Sequence, residues 1–171
     1  MIIAAQIVGI IAVVLFLVSY QQKTRKAIII LNATSRILYI VQYIMLGAFG
    51  GAILDVLGTA SSFLAQNKDK GFIGKHKKLC FITINLLMIA AGFAIEMKFI
   101  TIFSIAGCLL HTVAFWISDE KIIRRVSFIG SPFWLVYNFT SKAYGSVVGD
   151  ILTMVSLLVA MYRYDIRNQN K

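Results

Sequence analysis

The sequence predicts an all-α polytopic membrane protein with seven transmembrane helices, and three observations carry that reading. Of 171 residues, 59% are hydrophobic and 14% charged, more apolar surface than one soluble core of ordinary composition can hide. The apolar runs last about 17 to 20 residues, the length that crosses roughly 30 Å of hydrocarbon at 1.5 Å rise per helical residue. The strand-like alternation of a membrane barrel is absent. Finally, sliding the chain by 95 positions without a gap places Lys26 on Lys121, Tyr39 on Trp134, Val41 on Val136, Gly50 on Gly145, Asp55 on Asp150 and Ser61 on Ser156. The lysine, glycine, aspartate and serine carry the repeat, because apolar matches arise freely in this composition.

The first helix spans about Ile2 to Val18 and ends in the polar, basic turn Ser19 to Lys26. It lacks the basic leader and the small-residue cleavage site of a signal peptide, so it is expected to be retained. The second, about Ala27 to Leu46, carries an unusual polar load: Asn32, Arg36, Tyr39, Gln42 and Tyr43. A glycine-rich turn, Gly47 to Gly51, leads into a third helix ending near Ala65, where Gly51, Asp55, Gly58 and Ser62 share one face. Such small residues let helix backbones approach closely. Asn67 to Lys78 reads as a loop with five lysines, followed by a fourth helix, about Leu79 to Ile95, capped by Glu96-Met97-Lys98. Helices at about Phe99 to Ile117, Ile122 to Thr140 and Tyr144 to Tyr162 then repeat the first three, before a short polar tail.

The expected units are therefore residues 1–66 and 99–163 as triple-helix bundles, 67–98 as basic loop and linker helix, and 164–171 as tail. Three helices reverse the chain and a fourth restores its direction, so the two bundles are expected to be parallel. The turns after the first, third and fifth helices and the tail hold 3, 5, 3 and 3 Lys/Arg, against only Lys98 and Lys142 at the opposite surface. By the positive-inside rule the N-terminus is outside and the C-terminus cytoplasmic. The net charge of +10 is thereby assigned to orientation in an inner membrane, with the lipid bilayer and not nucleic acid as partner.

An ionisable side chain near the bilayer centre costs about 2.5 to 3.5 kcal/mol on insertion scales, so each one needs a partner, a cavity or a function. Helical rise puts Arg36 and Asp55 at depths that the long arginine side chain can bridge, which makes them a structural ion pair candidate. In the second copy Ser131 stands where the first has Arg36. Asp150 is then expected to be protonated, to pair with Lys142, or to face a polar cavity with Tyr137 and Asn138. His111 is a proton-relay candidate, with packing as its alternative role. Asn85 is expected to hydrogen-bond between helices. Trp116, Tyr20, Tyr144 and Tyr162 fit an aromatic belt, whereas Trp134 is deep enough to stack on a solute. Cys80 and Cys108 read as small hydrophobic residues without metal-like spacing. No phosphate loop, dinucleotide fingerprint, zinc spacing or nucleophile elbow occurs, so no metal, cofactor or enzyme activity is expected.

The segments Ser19-Tyr20-Gln21-Gln22-Lys23 through Lys26, Val41 to Ala48, and Trp134 to Phe139 with Gly145 and Asp150 resemble the YgjV-type family of bacterial inner-membrane proteins. The three-one-three plan is also similar to that of the SWEET sugar facilitators, the PQ-loop proteins and the nicotinamide riboside transporters, whose parallel triple-helix bundles surround a central site. That resemblance implies a transporter or facilitator of a small polar solute. Its path would run between the bundles along Asn32, Gln42, Tyr43, Asp55, Trp134, Tyr137, Asn138 and Asp150. The alternative is a non-transporting receptor, assembly factor or scaffold acting through the basic loop.

Overall fold

The computed structural model describes residues 2–46, 49–95, 99–140 and 144–166. Its elements are α1 (Ile2–Tyr20), α2 (Arg25–Leu46), α3 (Phe49–Gln66), α4 (Gly71–Lys75), α5 (Lys77–Ile95), α6 (Thr101–Trp116), α7 (Glu120–Thr140) and α8 (Tyr144–Ala160), which runs on into a π-helical turn, Met161–Ile166. Among the described residues there is no strand. Gly47 and Ala48 of the expected turn, Glu96 to Lys98, Lys142 and the tail from residue 167 lie outside the described residues, and Asn138 is described by its backbone alone.

Local chemistry accounts for the helix starts that differ from expectation. Thr24 accepts the Ile28 N–H on its carbonyl at 3.1 Å and the Ala27 N–H on its hydroxyl at 3.4 Å, so α2 begins at Arg25 and not at Ala27. Asp119 caps α7 by accepting the N–H groups of Lys121 and Ile122 at 2.8 and 3.3 Å, which brings Glu120 into the helix. The basic segment expected to be all loop contains α4, entered through Gly71 at a φ of 48°, a left-handed conformation that costs glycine nothing. Pro132 sits inside α7.

Burial is inverted relative to a soluble domain. Ile3, Phe99, Phe63, Ile10 and Leu79 are each more than 60% exposed, while Asn32, Ser35, Ser61, Thr112, Arg124 and Ser127 are buried. Among the described residues, four helices are long and apolar enough to cross a membrane, Ile3–Tyr20, Arg25–Met45, Lys77–Ile95 and Val147–Ile166, and Ala52–Gln66 and Thr101–Trp116 are shorter apolar helices. With lipid outside, apolar side chains gain nothing by turning inward, so the polar ones occupy the interior where helices can satisfy them. α1 packs on α2 and α2 on α3; α6 packs on α7 and α7 on α8. α5 lies against α3 and α6, and further contacts join α1 to α8 and α3 to α6. Asn85 on α5 corrects its expected role: its amide donates to Phe81 O, 2.7 Å away in the same helix, the nearest acceptor for a side chain one turn along.

Candidate functional site

The interior polar residues form a continuous cluster drawn from α1, α2, α3, α6 and α7. At its centre Arg36 donates from Nε to Asn32 Oδ1 and from Nη1 to Asp55 Oδ1, both at 3.1 Å. One turn separates Asn32 from Arg36 on α2, so both side chains lie on one face. On α3, Gly58 makes room for the guanidinium, since a Cβ there would stand 2.2 Å from Nη1. The charge of Arg36 reaches Cys108 and His111 on α6 and Tyr20 on α1. His111 is buried, its Nδ1 lies 2.9 Å from the Tyr20 hydroxyl, and its ring sits against Gly130 of α7. Ser127 and Asn32 lie beside that hydroxyl. Asn32 Nδ2, Ser35 Oγ and Ser127 Oγ, all buried, have no hydrogen-bond partner among the described residues.

A second group continues from Asp55 toward the far end of α2. Tyr39 and Tyr43 stack at 6.2 Å between centroids, and both lie within electrostatic range of Asp55 and of Asp150. Tyr137 also acts on Tyr43, and its ring meets Trp134 edge-on at 6.0 Å. The Gln42 amide and the Trp134 indole are each seated on a glycine of a neighbouring helix, Gly9 of α1 and Gly107 of α6. The structure thus brings together Asn32, Arg36 and Asp55 directly, and Tyr43, Tyr137 and Asp150 around the tyrosine stack. Gln42 and Trp134 fill helix interfaces.

At the opposite, basic end the helices are tied by residues that the sequence reading gave other roles. Tyr20 and Trp116, expected in an aromatic belt, are buried. Each has a polar atom that prefers an internal partner to lipid: the Trp116 Nε1–H donates to Ser61 Oγ at 3.3 Å, and Tyr20 meets His111. Gln21 Nε2 donates to Ser156 O and Oγ at 2.6 and 2.9 Å. Gln21 and Trp116 stand at the 95-residue offset, as do Ser61 and Ser156. Arg25 donates to Ala65 O and Phe115 O through Nη2 and to Ile117 O through Nε. Arg124, fully buried, pairs with Asp165 and donates to Gln22 O at 3.1 Å. Gln22 and Ile117, whose carbonyls accept these bonds, again share the 95-residue offset. Lys68 caps the end of α6 by donating to Trp116 O at 2.6 Å and Ser118 Oγ at 2.7 Å. Burial, with the charges of Arg25 and Lys77 nearby, pushes its ammonium below the usual lysine value. Asp69 next to it is held below the ordinary carboxylate range by the hydrogen bond from Lys77.

No group of three or more His, Cys, Asp or Glu side chains able to hold a metal occurs among the described residues. Two surface hollows, of about 310 and 300 Å³, are lined by residues other than those expected on a solute path.

An apolar exterior, a polar interior and several helices of spanning length define a multi-pass helical membrane protein. The chain belongs to the Imp-YgjV family of bacterial inner membrane proteins, whose family model matches residues 3–168, and the bacterial inner membrane is its location. No curated protein and no solved structure matches it.

Proposed function

We propose that this protein is a transporter or facilitator of a small polar solute, built from two parallel triple-helix bundles joined by the basic loop and α5. In this reading the N-terminus is outside, the C-terminus cytoplasmic, and the plan is similar to that of the SWEET sugar facilitators. The observation that carries it is the set of paired ties at the basic end. Gln21 to Ser156 and Trp116 to Ser61 join α1 to α8 and α6 to α3 in matching ways, as two like units meeting about a shared axis would. Hydrogen bonds at one end of such an interface can be exchanged for contacts at the other, which is how repeat bundles alternate access.

Asn32 and Ser127, at the 95-residue offset and one in each bundle, are buried polar groups beside the Tyr20 hydroxyl. They are the groups a passing solute would engage. Asp55 and Asp150, both within electrostatic range of Tyr39 and Tyr43, would line the same route.

The test uses purified protein in liposomes and a panel of small neutral and zwitterionic solutes. Cysteines introduced as Gln21→Cys and Ser156→Cys, in a background of Cys80→Ser and Cys108→Ala, would lock the basic end on oxidation. Flux should fall under oxidation and return on reduction, and Asp150→Asn should change flux or its pH dependence. Flux indifferent to the lock overturns rocking between bundles; flux indifferent to Asp150→Asn removes that carboxylate from the mechanism.

A further inference from the structure

The basic segment between α3 and α5 has a construction that the solute path does not use. The hollow of about 300 Å³ here is lined by Leu64 of α3, by Phe72 and His76 at α4, and by Leu79, Cys80 and Leu87 of α5. Its walls are apolar over a length of more than two helical turns, and the surface beyond remains apolar, with Leu79, Ile82 and Leu86 all more than half exposed. α4 buries none of its residues against the protein. Phe72 is 72% exposed and rests on the His76 ring at 4.6 Å between centroids. Gly71 makes this placement possible: its left-handed φ turns the chain into α4 in open space, with no atom within 4 Å of where a Cβ would lie.

The segment that carries Phe72 and His76 is basic. Lys77 is paired with Asp69 at 3.0 Å. Lys70, Lys75 and Lys78 are exposed and have no carboxylate partner among the described residues. Lys75 and Lys78 adjoin the lining residues His76 and Leu79 in the chain and Lys70 precedes α4, so an apolar trough beside three unpaired cations is complementary to an amphiphile with an anionic head, and a zwitterionic lipid would leave those cations uncompensated.

We propose that this hollow seats one anionic phospholipid, its acyl chain along α3 and α5 and its phosphate against Lys70, Lys75 and Lys78. Phe72 and His76 cover the acyl chain near the glycerol end. The lysines act as point charges on flexible stems, which suits a headgroup defined by charge and not by shape.

The experiment is lipid retention by the full-length protein. Purified protein in neutral detergent is given equal amounts of phosphatidylglycerol and phosphatidylcholine, and bound lipid is counted by native mass spectrometry. A lysine near a membrane surface contributes about fivefold in affinity for anionic lipid, so three give a preference of about tenfold or more after screening. Lys70→Gln/Lys75→Gln/Lys78→Gln should bring that preference to within about twofold of unity while one lipid is still retained. Phe72→Ser should lower retention of both lipids. Lys23→Gln, a charge removed from the turn after α1, should leave the preference intact. Equal retention of both lipids by the unaltered protein overturns the proposal. So does a preference that survives the triple substitution, or one that Lys23→Gln lowers equally. Excess inorganic phosphate should not displace the lipid; displacement would assign the lysines to a free anion.

Discussion

Replacing Asp55 with asparagine should be among the most damaging single changes in the interior. The Arg36 and Asp55 side chains are 6% and 17% exposed, and their N···O distance is 3.1 Å. At an effective dielectric of about 20, charges at that separation attract by about 5 kcal/mol, and desolvating both offsets most of the gain. The pair itself therefore adds little, but removing one member leaves the other charge buried alone, at a cost of about 3 to 5 kcal/mol. Arg36→Met/Asp55→Leu should recover to within about 2 kcal/mol of the unaltered protein, because both desolvation costs disappear together. Gly58→Ala acts on the same bond by displacing the guanidinium, since its Cβ would lie 2.2 Å from Nη1. That change should cost about 1 to 3 kcal/mol with Arg36 present and little with Arg36→Met. Unfolding free energies in mixed detergent micelles, followed by circular dichroism, measure these variants and the single substitutions that make up each double. If Asp55→Asn costs under about 1 kcal/mol, or the double variant costs the sum of its singles, the coupling assigned to this pair is wrong.

The two glycines that seat Gln42 and Trp134 should respond differently to alanine. At Gly107 a Cβ would meet the rigid Trp134 ring at 2.7 Å, whereas at Gly9 it meets the flexible Gln42 amide at 2.2 Å. Gly107→Ala is expected to cost about 1 to 3 kcal/mol and Gly9→Ala less, by the same unfolding measurement. Ser61→Ala and Ser156→Ala should each lose about 0.6 kcal/mol, and the double variant should be additive because the two ties share no residue. Lys68 supplies a pH dependence: its folded-state value lies below the ordinary 10.5, so between those two values the unfolded chain binds more protons. Stability should accordingly rise with pH through that window, and thermal scans of Lys68→Met should lack the rise.

The ion pair of Arg36 and Asp55 was legible because two charges on successive apolar helices have few ways to be satisfied, and helical rise alone decides whether they meet. The repeat of Ser61 at Ser156 was visible as a match, yet its purpose was not. Their donors, Trp116 and Gln21, differ in type and sit at helix ends, where an aromatic suggests a lipid interface and a glutamine suggests a solvated turn. Arg25 and Arg124 were hidden for a related reason. Both bond backbone carbonyls, which exist at every position and leave no mark in the sequence, so the arginines read only as orientation charges. Asp165, in a segment expected to be polar tail, became the partner of Arg124 because the π-helical turn carries α8 onward to Ile166. α4 escaped notice because five residues are too few for any period.

The ties also bear on how the two copies meet. Under the proposed two-unit plan, residues at equivalent positions that touch each other must lie on the axis relating the units. Among the described residues Phe16 and His111 do so, 6.2 Å apart between rings, and so do Arg25 and Glu120, where the glutamate accepts the main-chain N–H of the arginine at 2.9 Å. Glu120 accepts from a main-chain N–H, a donor that every residue but proline supplies, and a second arginine at position 120 would remove that acceptor. Ser61 with Ser156 and Asp55 with Asp150 are kept as identical pairs. Gln21 and Trp116 differ while the serines they meet do not, so the element common to the two ties is the acceptor hydroxyl, and either an amide or an indole N–H can serve it.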